Sequence, residues 1–283
     1  MKARPGRTPR CSPSSCAPAF LIAGTALVVA LALGSCAPAP RGPGPLDLRD
    51  LATRYRAQRD AREQRLAAVR LEATTWIDGA TIGRLPAVQL DIALVGPDRV
   101  RARVASLFGT ALDLLVRGDS LTAYVPPRRM GVELGSLEDS LGIRRPGEWA
   151  CRALAATWDP NGARWTPGGA DSLRHASWAE EGDSLRLDVD SKALPVAVEL
   201  RSKEGRTLAI RYPSWQWIES TPWPSRIEIE DAAAGVEVAL RIDRVRFERQ
   251  ADPQWMVLVV PASAERLDWR SLKEALARMG GMR

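Results

Sequence analysis

Alternation of apolar and polar residues with a period of two most constrains the fold of this chain, and it recurs between residues 69 and 260. Because successive side chains of a β-strand point to opposite faces of a sheet, each run predicts a strand with one buried and one solvated face. Roughly 11 such strands predict a mainly β (α+β) domain, built as a half-open, strongly curved antiparallel β-barrel. The alternating runs are 69–73, 88–94, 99–104, 112–125, 184–190, 195–201, 207–212, 225–231, 235–248 and 255–260.

Short polar segments between these runs predict tight turns. Gly96-Pro97-Asp98 and Gly118-Asp119 contain residues that turns favour, and the segments 202–205 and 231–235 join runs of matching length.

The run 235–248 changes parity, because its apolar residues lie on one side up to Ile242 and on the other side at Val245 and Phe247. A β-bulge near Asp243-Arg244 restores a single apolar face. The alternative is a strand that leaves one packing layer for another.

Helical patterns occur before the strands. Leu48, Leu51 and Tyr55 are spaced as i, i+3 and i+7 and predict a helix from about Leu48 to Ala67. Its narrow apolar stripe indicates a helix that packs on the sheet by one edge. A helix lying on a membrane surface is the alternative.

A second helical region, residues 136–170, interrupts the strands and predicts two short helices, with Pro146 in the first turn of the second. This insert is either a plug that caps the end of the barrel or a movable lid. The residues predicted for the lid or cavity are Leu137, Leu141, Trp149, Leu154 and Trp158.

The N-terminus has the layout of a bacterial lipoprotein signal. Residues 1–35 contain four basic residues and no acidic ones, and the uncharged stretch from Ala19 to Leu33 is too short to span a bilayer. The sequence Leu33-Gly34-Ser35-Cys36 matches the lipobox and predicts lipidation of Cys36. Ala37 follows instead of the Asp that commonly retains lipoproteins at the inner membrane, so we expect the periplasmic face of the outer membrane.

The mature chain begins, on this interpretation, with a proline-rich tether at residues 36–46. A single domain at 47–270 and a C-terminal helical tail at 271–283 follow. Removal of the signal leaves 36 basic and 34 acidic residues of the original 40 and 34, a net charge of +2. Such a charge, spread along the chain, argues against nucleic-acid binding.

Cysteine and histidine content limits the chemistry. Once Cys36 carries lipid, Cys151 is the single cysteine of the mature chain, and His175 is the single histidine of the sequence. A disulfide and the common Cys/His zinc sites therefore cannot form. We find no phosphate-binding loop or paired-carboxylate motif, and we expect no enzyme activity, metal or cofactor.

These elements together resemble the LolA/LolB-like superfamily of periplasmic lipoprotein and lipid carriers. The resemblance covers about residues 47–261, in element order and in the segments LPVAVELRSKEGRTLAIRY, WPSRIEIE and VEVALRIDRVRFE. It implies helices that cover an apolar cavity, in which a monomer binds acyl chains or lipidated proteins. The alternative is a structural or sensory envelope lipoprotein with a closed core that binds a protein partner.

The resemblance also bears on an unusual connection, in which Leu107 and Phe108 precede Gly109 between two predicted strands. In LolB a loop with an exposed apolar residue before a glycine reaches the membrane. Leu107, Phe108 and Gly109 are on this basis a candidate membrane-contact tip. The alternative is that both apolar residues continue a buried strand.

Overall fold

A single large antiparallel sheet dominates the computed structural model, which describes residues 47–80, 83–106, 109–137, 144–168, 173–203 and 205–268. Within them the sheet has 14 strands, in the order β14-β6-β5-β4-β3-β2-β1-β13-β12-β11-β10-β9-β8-β7. Only β14 and β6 pair in parallel. The strands are β1 Val69–Gly79, β2 Val88–Leu94, β3 Arg99–Ser106, β4 Gly109–Arg117, β5 Ser120–Val125, β6 Met130–Leu134, β7 Arg164–Pro167, β8 Arg174–Glu180, β9 Asp183–Val189, β10 Pro195–Arg201, β11 Thr207–Ile218, β12 Thr221–Asp231, β13 Val236–Phe247 and β14 Glu265–Leu267.

The sheet is curved and open, because its terminal strands β14 and β7 do not pair with each other in the described part of the chain. The predicted mainly β architecture is confirmed, but the expected strand number of roughly 11 is too low. The short strands β6, β7 and β14 have three to five residues each, too few for a clear alternating pattern. The predicted turns at 96–98, 118–119, 202–205 and 231–235 all connect neighbouring strands.

The predicted bulge is confirmed where β1 pairs with β13. Glu72 lies opposite Arg244 and Ala73 lies opposite Ile242, so Asp243 has no partner in the register. The Thr74 hydroxyl donates a hydrogen bond to the Asp243 carboxylate at 2.7 Å. Val245 consequently returns to the buried face and packs in the main core.

One predicted strand, 255–260, is wrong. Pro253–Met256 forms a 3₁₀ turn whose cap is the Asp252 side chain, and residues 257–260 do not join the sheet. We call residues 251–260 the strap, since they cross one face of the sheet and enclose a small core with Ala93, Val95 and Leu115. Burial nevertheless varies along this segment, since Met256 and Val260 are buried whereas Val257 and Val259 are exposed.

Two helices lie on the opposite face, which we call the inner face; the strap lies on the outer face. Helix α1, Leu48–Arg65, begins at the Asp47 cap and buries Leu51 and Tyr55 completely, which confirms the predicted helix on a sheet rather than on a membrane. Helix α2, Pro146–Ala155, is the second helix predicted for the insert. The predicted first helix lies mostly outside the described residues, as does the predicted C-terminal tail.

Candidate functional site

The candidate site lies on the inner face, where α1 and α2 meet the sheet. Three buried aromatic side chains link these elements by hydrogen bonds. The Tyr55 hydroxyl donates to the Trp158 carbonyl oxygen at 2.6 Å, and the Trp158 indole nitrogen donates to the Tyr212 hydroxyl at 2.7 Å. The Tyr212 hydroxyl in turn donates to the carbonyl oxygen of Ala153 at 3.1 Å. The hydroxyl hydrogens of Tyr55 and Tyr212 are therefore both already engaged in hydrogen bonds.

Arg62 of α1 lies among these rings and is fully buried. Its Nη2 donates to the Ala156 carbonyl oxygen, at the C-terminal end of α2, at 3.0 Å. The guanidinium carbon lies 5.2 Å from the centre of the Trp215 ring, a distance that favours a cation–π contact. The Nε and Nη1 atoms have no hydrogen-bond partner among the described residues.

The charges of these groups follow from their burial. Desolvation lowers the pKa of Arg62 to about 10, so the guanidinium stays protonated at neutral pH. Desolvation raises the pKa of the Tyr55 and Tyr212 hydroxyls above the ordinary value, so both stay neutral. The inner face thus holds a positive charge without an adjacent negative side chain in the described part of the chain.

An ion-pair cluster ties α2 to β8. Glu180 bonds Arg152 at 3.0 Å and Arg145 at 3.1 Å, and both arginines also contact Glu148. Burial alone would raise the pKa of Glu180, but the hydrogen bond from Arg152 and the charges of both arginines lower it overall. The cluster holds the exposed side of α2 in place.

The residues predicted to line a lid or cavity lie on or beside α2, as far as the structure describes them. Leu137, Leu154 and Trp158 are buried, and Trp149 is half-buried with its ring 5.3 Å from that of Trp158. Leu154 and Trp158 belong to the main core, and Trp149 packs against it. Leu141 lies outside the described residues.

The described residues next to the predicted membrane-contact tip close the ladder of β3 and β4. Ser106 pairs with Gly109 in the final register position. Gly109 has a φ of 109°, a conformation that other residues rarely adopt. Leu107 and Phe108 lie outside the described residues, as do Cys36 and the predicted signal sequence.

Clefts occur on the outer face. One of about 620 Å³ lies between the strap and strands β1–β3, where Arg70 and Arg103 both contact Asp91. Another, of about 490 Å³, lies beside Trp76 and Arg241. Each cleft is lined by three arginines and two acidic residues, so neither cleft has a strong net charge.

Two further observations concern chemistry and membranes. His175 lies on β8 with its Nδ1 atom 2.5 Å from the Asp188 carboxylate. In the parts of the chain that the structure describes, no helix has the length and apolar character needed to cross a membrane.

Solved structures with the same fold were found, although no family model and no curated protein matches the sequence. A domain from Vibrio parahaemolyticus assigned to outer membrane lipoprotein sorting has a TM-score of 0.51 and 12% identity, covering 74% of this chain and 97% of its own. A DUF1329 family protein from Desulfovibrio piger has a TM-score of 0.51 and 10% identity, covering 73% and 97%. A LolA superfamily protein from Nitrosomonas europaea has a TM-score of 0.49 and 14% identity, covering 74% and 97%.

The chain therefore shares its fold with the Vibrio parahaemolyticus domain and the Desulfovibrio piger protein, which agrees with the predicted LolA/LolB-like fold. At identities of 10–14% the likeness concerns the fold alone. Arg62 is the feature of the site that sequence patterns miss, since an arginine on a surface helix is normally solvated. Its position seven residues after Tyr55, on the apolar side of α1, was the available signal.

Proposed function

We propose that this protein is an envelope lipoprotein that binds acyl chains or lipidated proteins on its inner face, for transfer or insertion at the outer membrane. The supporting observation is the open sheet, whose apolar inner face is covered by only two helices in the described part of the chain. On this proposal the protein acts by binding and has no catalytic site.

The fold supports this proposal because it is shared with a domain assigned to outer membrane lipoprotein sorting. An acyl chain gains about 0.8 kcal/mol for each methylene that it buries. An apolar sheet face from which a covering helix moves away provides such burial without the need for specific polar contacts.

Helix α2 is the element that cargo would displace. It has only ten residues, and its outward contacts to β8 are charged pairs rather than apolar packing. Partly exposed ion pairs contribute little, about 0–1 kcal/mol each. Cargo entry exchanges the buried contacts of Leu154 and Trp158 for contacts between an acyl chain and the same apolar face.

Attachment at Cys36 and membrane contact at Leu107 and Phe108 complete the proposal. The described neighbours of the tip support it, since Ala105, Gly109 and Thr110 are exposed at the end of the hairpin. Lipid chains on Cys36 would hold the protein at the membrane, and the tip would orient the domain towards it.

A second candidate function is a structural or sensory lipoprotein that binds a protein partner. One observation on the inner face favours this function: the side chains of Trp158, Trp223 and Leu71 are fully buried in the core. The clefts of 620 and 490 Å³ lie on the outer face. On this alternative the core stays closed and the outer face carries the interaction.

Native mass spectrometry of the full-length protein, purified gently from membranes, distinguishes the two functions. A carrier is expected to retain lipid and to bind a fluorescent fatty acid that unlabelled fatty acid displaces. A lipid-free species that binds no probe, with an unaltered melting temperature in the presence of fatty acid, would contradict lipid binding and favour the closed core.

A further inference from the structure

Arg62 differs from Arg59 and Arg65 of α1 in having no acidic partner among the residues that the structure describes. Arg59, one turn earlier, contacts Asp60 and Asp159, and Arg65, one turn later, pairs with Glu219 at 3.2 Å. Arg62 is the more deeply buried, yet its hydrogen bond to the Ala156 carbonyl engages only Nη2 and leaves Nε and Nη1 unpartnered in the described part of the chain.

A purely structural role for Arg62 accounts for only one of the three nitrogen atoms of its guanidinium group. The bond to Ala156 joins α1 to the C-terminus of α2, where the helix dipole supplies roughly half a negative charge. Desolvation of an ionised group that is not fully paired is unfavourable. The neutral hydroxyls of Tyr55 and Tyr212 supply no compensating charge, and each already donates to a backbone carbonyl.

The surroundings suit an anion at the end of an apolar chain. A guanidinium group binds carboxylates and phosphates with charge-assisted hydrogen bonds. The indole nitrogen of Trp165 is a further buried donor, without a hydrogen-bond partner among the described residues, and its ring lies 6.0 Å from that of Tyr55. The walls around these donors are apolar side chains of the main core.

We infer that Arg62 binds the anionic headgroup, carboxylate or phosphate, of an amphiphile whose acyl chain lies along the inner face. This inference rests on the proposed function and specifies its cargo. Fatty acids and lipids with a phosphate headgroup are favoured over the acyl chains of a lipoprotein, whose ester and amide linkages carry no charge. Because Arg62 is enclosed in this structure, the headgroup reaches it when α2 moves away from the inner face.

Calorimetric titration of the full-length protein with laurate, dodecyl phosphate and 1-dodecanol tests the inference, since these share one chain length and differ in charge. We expect the two anions to bind at least tenfold more tightly than the alcohol, as charge-assisted bonds allow. In Arg62→Gln the preference should fall to within twofold while the affinity for dodecanol is kept. Arg62→Lys should restore part of it, and the matched Arg65→Gln should leave it unchanged.

Melting curves in the presence of inorganic phosphate show whether Arg62 binds a lipid headgroup or a free anion. If phosphate raises the melting temperature of the wild type but not of Arg62→Gln, and the amphiphiles show no preference, the anion site stands but its ligand is free phosphate. Equal binding of laurate and dodecanol without a phosphate effect overturns the inference and leaves acyl-chain binding intact. If none of the probes binds, both proposals fail. Melting curves of each variant establish that it is folded.

Discussion

Arginine gives this molecule nearly all of its positive charge, and several arginines lie over tryptophan rings. Arg62 lies over Trp215, Arg70 over Trp255 and Arg241 over Trp76, with distances of 5.2 to 5.6 Å to the ring centres. Each such contact contributes about 0.5–1 kcal/mol at an exposed site and more when desolvated. Part of the unusual tryptophan content thus supports arginine side chains on both faces of the sheet, rather than lining one apolar pocket.

Glu180 allows a prediction at the same scale. Its lowered pKa means that the ion pairs with Arg145 and Arg152 stabilise the folded state above the pKa of the unfolded chain, and that this stabilisation is lost as pH falls through the folded pKa. Glu180→Gln should therefore lower the free energy of unfolding by up to about 1 kcal/mol at pH 7. The difference from the wild type should shrink as the pH falls through the lowered pKa of Glu180 in the folded state.

Urea denaturation at pH 7, 5 and 3.5 measures this difference. Glu72→Gln is the control, since Glu72 pairs with Arg246 on the outer face with half of its side chain exposed. Its effect should be smaller at pH 7. If Glu180→Gln lowers the free energy of unfolding by the same amount at pH 3.5 as at pH 7, the Glu180 side chain acts through packing instead of charge.

At the scale of the element, the strap shows what periodicity can and cannot predict. Burial alternates between Met256 and Val260 as it would in a strand, but the apolar run 255–260 does not distinguish a strand in a sheet from an extended segment lying across one. Pro253, which starts the 3₁₀ turn, is the local signal for the difference. By contrast, the parity change correctly predicted a bulge near Asp243, because an extra residue keeps Val245 and Ile242 on one face. The alternative of a strand that changes packing layer is excluded by the shared core of these two residues.

Helix α1 shows a different limit. Leu51 and Tyr55 predict its buried side correctly, whereas Arg62 lies on that side against its own polarity. The buried position of Arg62 depends on Trp215 and on the α2 carbonyl, both more than 90 residues away in sequence. No local pattern contains that information, so the fold could be predicted from the sequence and this part of the candidate site could not.

Gly131 allows a prediction for the strap. A Cβ atom at this position of β6 would lie 2.2 Å from a methyl carbon of Val260, so the strap must shift to accommodate it. Gly131→Ala should lower the free energy of unfolding by about 1–3 kcal/mol and should speed amide hydrogen exchange in residues 252–264. Gly135→Ala is the control, because a Cβ there meets no atom within 4 Å. Equal exchange in both variants would contradict close packing of the strap on β6.

At the scale of the whole molecule, anchoring is expected to depend on Cys36. The lipobox predicts that Cys36→Ala blocks lipidation, since the alanine side chain has no sulfur to acylate. We expect the variant to leave the membrane fraction and to migrate as an unprocessed or unlipidated form. Cell fractionation with metabolic labelling by a fatty acid measures this. Membrane retention and labelling that match those of the wild type would refute the predicted anchor.

Orientation at the membrane is expected to depend on Leu107 and Phe108. Two exposed apolar side chains contribute about 1.5–3 kcal/mol each when they enter an apolar phase. This is too little to anchor the protein but enough to direct one end of the sheet towards the bilayer. The double substitution Leu107→Glu, Phe108→Glu should then reduce liposome binding of the Cys36→Ala protein while its melting temperature changes little.

The alternative, a buried position, gives the opposite result. Burying two charges would cost most of a domain's stability of about 5–15 kcal/mol, so the melting temperature would collapse. Leu85→Glu is the control for the charge itself, because Leu85 is 40% exposed in a different connection. A double variant that unfolds while Leu85→Glu stays folded rejects the tip. A stable double variant with reduced liposome binding places the membrane at the Gly109 end of the β3–β4 hairpin, since Ser106 and Gly109 close the ladder there.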